Sequence, residues 1–230
     1  MNARRVATYV WREWIRPLAL PLLLITAAKS ALADINYIPS GSMHPTLVEG
    51  DVVFVNKLAY DLRVPFTFTR LNHWADPARG DVVVCFEPTE GTRLVKRVVG
   101  LPGDRFELRG DAVFVNGVRQ AYAPLPPSTG NVLEPAERAT AVFVREELAG
   151  RSHPMMVQPD APALRNFGPL TLAPGQYIVL GDNRDNSRDS RFFGVMPRER
   201  IIGRVHAVVL SADYHHWLRP RLDRTLTLVP

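Results

Sequence analysis

Beyond its first 34 residues this chain offers little helical periodicity and many apolar runs of strand length. Runs at 51–55, 81–86, 93–99, 104–108, 112–115, 141–145, 176–180 and 205–210 are alternating or continuously apolar, and Gly, Asp or Pro bounds them. Such runs predict antiparallel β structure, since β-branched residues suit a pleated surface while Gly and Pro interrupt it. Arg109-Gly110-Asp111 and Asn116-Gly117 read as hairpin turns. Gly50-Asp51 and Gly80-Asp81 open similar Val-rich strands, but two copies do not make a repeat architecture. With 20 prolines in 230 residues, the expectation is a mostly β, loop-rich fold.

The N-terminus reads differently. Residues 17–28 are uncharged and mostly apolar, which is too short for a bilayer span of roughly 20 residues. Letting Lys29 snorkel to an interface extends the run to Ala33, about 17 residues and the lower limit of a span. Arg4, Arg5, Arg12 and Arg16 precede it, so the positive-inside rule keeps the N-terminus cytoplasmic and puts everything after residue 34 outside. The competing reading is a cleavable signal peptide, because Ala31-Leu32-Ala33 fits a small-x-small cleavage site. The uncleaved anchor is favoured, since a serine-bearing loop begins only a few residues later. The arginine-rich flank argues against a buried core helix.

Composition narrows the chemistry. Apolar residues make up 46% of the chain, enough for a core and one domain, or a domain carrying an insertion. The single Cys85 excludes an intrachain disulfide and any multi-thiolate metal site, and its apolar setting reads as a buried, inert thiol. The net charge of +5 comes from scattered basic residues without a recognition helix or aromatic ladder, so no nucleic-acid partner is expected. Of 28 basic residues only Lys29, Lys57 and Lys96 are lysine. Arginine cannot give up its proton whereas a desolvated lysine can, so each lysine invites a search for what arginine cannot do.

Ile38-Pro39-Ser40-Gly41-Ser42-Met43-His44-Pro45-Thr46-Leu47 sets two serines two residues apart on a glycine-bearing loop. Ser42 as a nucleophile needs a base, and Lys96 is the candidate. On a strand Leu94, Lys96 and Val98 share one face, so the amine would sit among aliphatic neighbours with a lowered pKa. The Ser42 N–H and the Ser40 hydroxyl are suitable oxyanion donors, with Gly41 permitting tight backbone geometry. The plain alternatives are an ordinary Pro-Ser-Gly-Ser turn and an exposed strand lysine.

In 181–191 aspartates alternate with arginines, which suits either an internally paired loop or a solvated turn. Asp185, Ser187 and Asp189 have the early spacing of a calcium loop, but Ser190 replaces its glycine and Met196 its bidentate glutamate. His44 lies too close to Ser42 in sequence to serve as its base. His73, His153, His206, His215 and His216 form no HExxH pair, and His206 in an apolar strand reads as a core histidine. No metal or cofactor is expected.

Together these blocks resemble bacterial type I signal peptidases, serine proteases of protein export. The matching segments are 38–47, 50–60 with Lys57-Leu58-Ala59-Tyr60, 80–86, 95–104 and 181–194, in order through most of residues 20–210. The resemblance implies Ser42 as nucleophile, Lys96 as general base and Ser40 as side-chain oxyanion donor. It implies Ser187 as the hydroxyl that orients the lysine, with Asp182, Arg184, Asp185, Asp189 and Arg191 bracing the site. It further implies an antiparallel catalytic sheet with a small inserted β subdomain, and preprotein substrates with small residues at −1 and −3. The expected divisions are a cytoplasmic N-terminus and transmembrane anchor at 1–34, a catalytic core at 35–104 and 176–212, an insertion at 105–175, and a tail at 213–230. Residues 122–137 and 152–175 read as loops within that insertion, and the tail as a peripheral segment near the membrane.

The implied location is the inner, cytoplasmic membrane, crossed once, with the catalytic domain on the outer side. The anchor departs from the family in being single, where many members have two, and the middle region is short. Val64-Pro65-Phe66-Thr67-Phe68 suits either lipid contact or core packing. Alternatives of function are a dedicated conjugation- or pilus-type processing peptidase and an inactive membrane-tethered binder. Self-cleaving repressors share the serine and lysine but begin with a DNA-binding segment rather than an apolar one.

Overall fold

The computed structural model describes residues 9, 11–213 and 219–230. Arg4, Arg5, His215 and His216, singled out above, lie outside the described residues.

One helix opens the chain. A short π-helical segment, Trp11–Ile15, runs into α1 (Arg16–Leu32), giving 22 continuous helical residues from Trp11 to Leu32. This exceeds the 17 residues read from the apolar run, because Trp11, Trp14 and Ile15 continue the helix past Arg12 and Arg16. By length and composition it can cross a bilayer, and Leu18, Leu20, Leu22, Leu23 and Ile25 all stand exposed.

The remainder is built from strands. In chain order they are β1 (Ala33–Tyr37), β2 (Asp51–Asn56), β3 (Asp61–Arg63), β4 (Arg70–His73), β5 (Val82–Phe86) and β6 (Arg93–Gly100). There follow β7 (Arg105–Arg109), β8 (Ala112–Val115), β9 (Val118–Arg119), β10 (Ala121–Pro124), the short helix α2 (Pro135–Thr140), β11 (Val142–Leu148), β12 (Arg151–Val157) and β13 (Phe167–Thr171). The chain continues through β14 (Gln176–Leu180), the one-turn helix α3 (Ser190–Phe193), β15 (Met196–Pro197), β16 (Ile201–Asp213), β17 (Arg219–Pro220) and β18 (Thr227–Leu228).

The main sheet runs β1-β2-β16-β5-β6-β14-β15, with β17 and β18 also pairing β16. Among the described residues every strand pairing within it is antiparallel. A three-stranded sheet (β10-β11-β12) and a four-stranded one (β13-β7-β8-β9) occupy the stretch between β6 and β14, and β3-β4 form a hairpin. The turns foreseen around residues 110 and 116 are present. Gly110 and Asp111 have φ of 52° and 67°, Asn116 and Gly117 have 53° and 81°, as two-residue turns that match strand twist require.

Three expectations change. Parts of the Pro-rich stretch read as loops are strands, namely β10, β12 and β13. Their prolines had masked them, but β12 and β13 lie at sheet edges, where a missing N–H costs no ladder bond. His206 is exposed on β16 rather than a core residue. Phe66 and Phe68 are 69% and 48% exposed, which excludes core packing for that loop.

The core follows the strand faces. Ile38, Met43, Leu47, Val53, Val55, Val82, Val84, Val205 and Val208 form one buried cluster, which pins both ends of the Ser42 loop beneath the sheet. Each such side chain contributes about 1.5–3 kcal/mol on burial, so this cluster can hold a polar loop in a single conformation. The segment after β17 folds back onto the sheet: Arg224 pairs with fully buried Asp51 at 2.6 Å and donates to Thr46 O at 3.0 Å. It thereby ties the far end of the chain to the serine loop.

Candidate active site

Strand β1 delivers the chain to Ile38, after which Ser40 is still extended (φ −145°) and residues Gly41–Met43 form a single 3-10 turn. Buried Ile38 and Met43 anchor that turn from below, leaving Ser42 at the surface of the core. Opposite it runs β6, paired to β5 so that Lys96 faces Val83 and Arg97 faces Val82. The structure brings Lys96 Nζ to 2.6 Å from Ser42 Oγ.

Lys96 is 2% exposed. Burial pushes its amine below the ordinary lysine value of 10.5, against the pull of Asp189, Cys85 and Asp182. Neither aspartate is available to bond it. Asp182 takes a two-pronged bond from Arg97, both contacts at 2.8 Å, and Asp189 takes another from Arg191, also both at 2.8 Å. A buried ammonium without a bonded counter-ion costs on the order of several kcal/mol, which is the physical cause of the lowered pKa. Cys85 on the neighbouring strand is buried and pushed up to about 12 by desolvation, which leaves it unreactive.

A cavity of about 210 Å³ adjoins the pair, lined among others by Asn36, Ser40, Ser42, Val95 and Lys96. It lies between two strand edges. Among the described residues β1 pairs only with β2, and β14 pairs β6 only from Arg97 onward, so residues 93–96 are open on the cavity side. Such paired open edges accept an extended peptide by main-chain hydrogen bonding. Asn36 Nδ2 is buried and has no partner among the described residues. Ser40 is exposed at the rim.

The loop after β14 buttresses the serine turn. Thr46 Oγ1 donates to Asp182 at 2.5 Å. Asp189 caps α3 and accepts from Gly181 N at 3.0 Å. Buried Arg184 bonds Glu146 and donates to Asp111 O, while Asp185 accepts from Gln158 N at 2.7 Å and pairs with Arg165 at 3.1 Å. Ser187 Oγ is buried without a partner among the described residues, and it does not bond Lys96 in this conformation. It stands beside the Ser42 backbone across Gly181. A Cβ at 181 would lie 2.3 Å from both Ser187 Oγ and Ser42 O, which restricts the position to glycine.

Sequence reading missed several contributors. Asn183 donates from its backbone to Ser42 O (3.2 Å) and from its side chain to Gly41 O (3.2 Å). Its motif was visible, but its role depends on a contact across 142 residues. His44 turns away from Ser42 and lies buried between Glu49 (2.6 Å) and Glu137 (3.1 Å). Burial alone would lower the ring, but the bonds to Glu137 and Glu49 outweigh it and raise the pKa to about 9. Glu137 sits on α2, where nothing in the local sequence signals a partner for His44. Among the described residues no cluster of His, Cys, Asp and Glu could hold a metal ion.

A buried lysine with a lowered pKa thus stands against a serine hydroxyl, beside a cavity lined by two open strand edges. Residues 11–210 match the family model described as "Signal peptidase, peptidase S26". A signal peptidase I from Pseudomonas fluorescens is 34% identical over 88% of this chain and 72% of its own length. One from Bacillus caldolyticus is 33% identical over 79% of each chain. A solved signal peptidase I from Enterococcus faecalis V583 is 30% identical, covering 56% of this chain and 97% of that one at a TM-score of 0.35. On the sequence matches, the chain belongs to the signal peptidase family, peptidase S26, and is a serine peptidase that removes signal peptides.

Proposed function

We propose that Ser42 and Lys96 form the catalytic dyad of a membrane-anchored signal peptidase that works through an acyl-enzyme. The carrying observation is the 2.6 Å approach of a dry, unpaired amine to Ser42 Oγ. An extended peptide lies between the open edges of β1 and β6, with Asn36 Nδ2 free to meet a carbonyl. Ser42 Oγ attacks the scissile carbonyl carbon while its proton passes to neutral Lys96. The oxyanion is met by the Ser42 N–H and the Ser40 hydroxyl. As the C–N bond breaks, the lysinium gives its proton to the leaving amine and an ester on Ser42 remains. Water then attacks the ester, Lys96 takes the water's proton, and Ser42 recovers it when the acid departs.

The bracing residues Asp182, Arg184, Asp185, Asp189 and Arg191 fix the dyad through the ion pairs and bonds described above. The unsatisfied Ser187 hydroxyl beside the Ser42 backbone supports its lysine-orienting role. Substrates of the family's kind, preproteins with small residues at −1 and −3, suit a cleft of this volume.

The anchor reading rests on the 22-residue apolar helix and the arginines before it, which set the N-terminus on the cytoplasmic side and the sheet on the outer face of the inner membrane. Cleavage after Ala33 is disfavoured, because that bond lies within paired β1, with Ala33 opposite Asn56 and Asp34 opposite Val55.

Incubation with a preprotein provides the test. Wild type releases the mature chain, while Ser42→Ala and Lys96→Ala lose about a thousandfold or more in turnover and keep their thermal melts. Equal processing by all three would overturn the dyad.

A further inference from the structure

The helix joins the cleft through a set of charges that the catalytic steps do not use. Asp34, two residues past α1, pairs with Arg93 at 2.9 Å and with Lys57 at 3.5 Å. Lys57 Nζ also donates to Ser30 O at 3.0 Å, near the C-terminal end of the helix, and Phe66 N donates to Ser30 Oγ at 2.8 Å. The helix end is thus fastened to the domain from two sides. Lys29 adds a looser contact to Asp34 at 3.8 Å.

Asp34 belongs to β1 and Arg93 to β6, the two walls of the peptide cleft. Their ion pair bridges those walls at the end nearest α1, while Ser42 and Lys96 lie at the other. A peptide strand inserted between two others needs roughly 10 Å, two strand spacings, and the Asp34–Arg93 contact joins the two strands that would flank it. The partners are unequal: the Asp34 side chain is 15% exposed and held by Lys57, whereas that of Arg93 is 41% exposed. Arg93 is therefore the arm free to swing outward. From Arg93 to Lys96 is three residues along one strand, roughly 10 Å.

Resting on the peptidase reading above, we propose that the Asp34–Arg93 pair is a stop that sets how close the apolar helix of a signal peptide can come to the cut. An extended chain passes when Arg93 swings aside. A helix about 10–12 Å wide with its side chains does not, so its last turn abuts Asp34 and the displaced Arg93. The scissile bond then falls roughly three residues beyond the helix, the distance along the strand from the pair to the dyad. Arg93 in this role is a specificity-determining residue, not a catalytic one.

The experiment uses the full-length protein in lipid vesicles and a series of preproteins in which two to eight residues separate the apolar segment from one fixed cleavage site. Wild type is expected to lose about tenfold in kcat/KM when the spacing falls from five residues to two. Arg93→Ala should recover the short-spacing substrates to within about threefold of the long ones, and Arg93→Lys, which keeps the ion pair, should behave as wild type. Should Arg93→Ala fail to fold, Arg93→Gln makes the same test of charge. One spacing profile shared by wild type, Arg93→Ala (or Arg93→Gln) and Arg93→Lys would overturn the stop while leaving the peptidase intact. No cleavage at any spacing, or cleavage by Ser42→Ala, would overturn the peptidase reading itself.

Discussion

Lys96 and Arg97 are consecutive residues on one strand, point to opposite faces, and are both buried, at 2% and 1% exposure. Their surroundings could hardly differ more. Arg97 meets Asp182 through two bonds and donates further to Gly80 O and Pro230 O, so its charge is fully matched. Lys96 meets one hydroxyl and a run of aliphatic neighbours. A guanidinium keeps its charge and needs the partners; an amine can shed its proton and do without them. The same strand therefore carries a structural cation on one face and the proposed base on the other, and residue type suits each to its place.

The largest effect expected from exchanging these roles is on turnover. Lys96→Arg should abolish preprotein processing by about a thousandfold or more, since its charge persists at every accessible pH. Arg97→Ala, measured by chemical denaturation, should instead cost about 3–5 kcal/mol, because Asp182 is left buried and unpaired. A stable, active Arg97→Ala protein or an active Lys96→Arg protein would break the contrast.

A second charged site sharpens it. His44 is buried like Lys96 but flanked by two carboxylates, and its pKa moves the other way, to about 9. A raised folded pKa contributes stability that is complete below the unfolded value near 6.5 and is lost as pH rises through about 9. His44→Gln should cost about 2–3 kcal/mol at pH 6 and little at pH 10, as read by paired denaturation curves. A pH-independent difference would remove the ion-pair account.

The smallest effect is on the pH profile. With the Lys96 amine held below 10.5, kcat/KM should climb as pH rises through that lowered value, by about tenfold per unit on the acid limb. An acid limb centred at the ordinary lysine value would mean that burial leaves the amine unchanged.

Much of this was legible in the residues, and the failures have physical causes. The strand runs 51–55, 81–86 and 93–99 announced themselves because both of their faces, or one alternate face, are apolar. The proximity of Ser42 to Lys96 followed from chemistry rather than pattern, since a serine nucleophile and a depressible amine need one another. Edge strands β12 and β13 were hidden because proline there violates nothing once the strand has only one neighbour. Asn183, Glu137 and the Asp34–Arg93 bridge were invisible for a different reason. Each acts through a partner distant in sequence, and local composition carries no trace of which distant carbonyl or guanidinium a side chain will meet.

The order in which the site's parts occur along the chain has a consequence for timing. Ser42 lies 54 residues before its base, and the turn that carries it is held by Asn183, later still. Strand β14 pairs β6 from Arg97 onward, and Asp182 and Asp189 of the 181–191 loop act electrostatically on Lys96. The proposed dyad is therefore complete only once residues 181–191, in the final quarter of the chain, are in place.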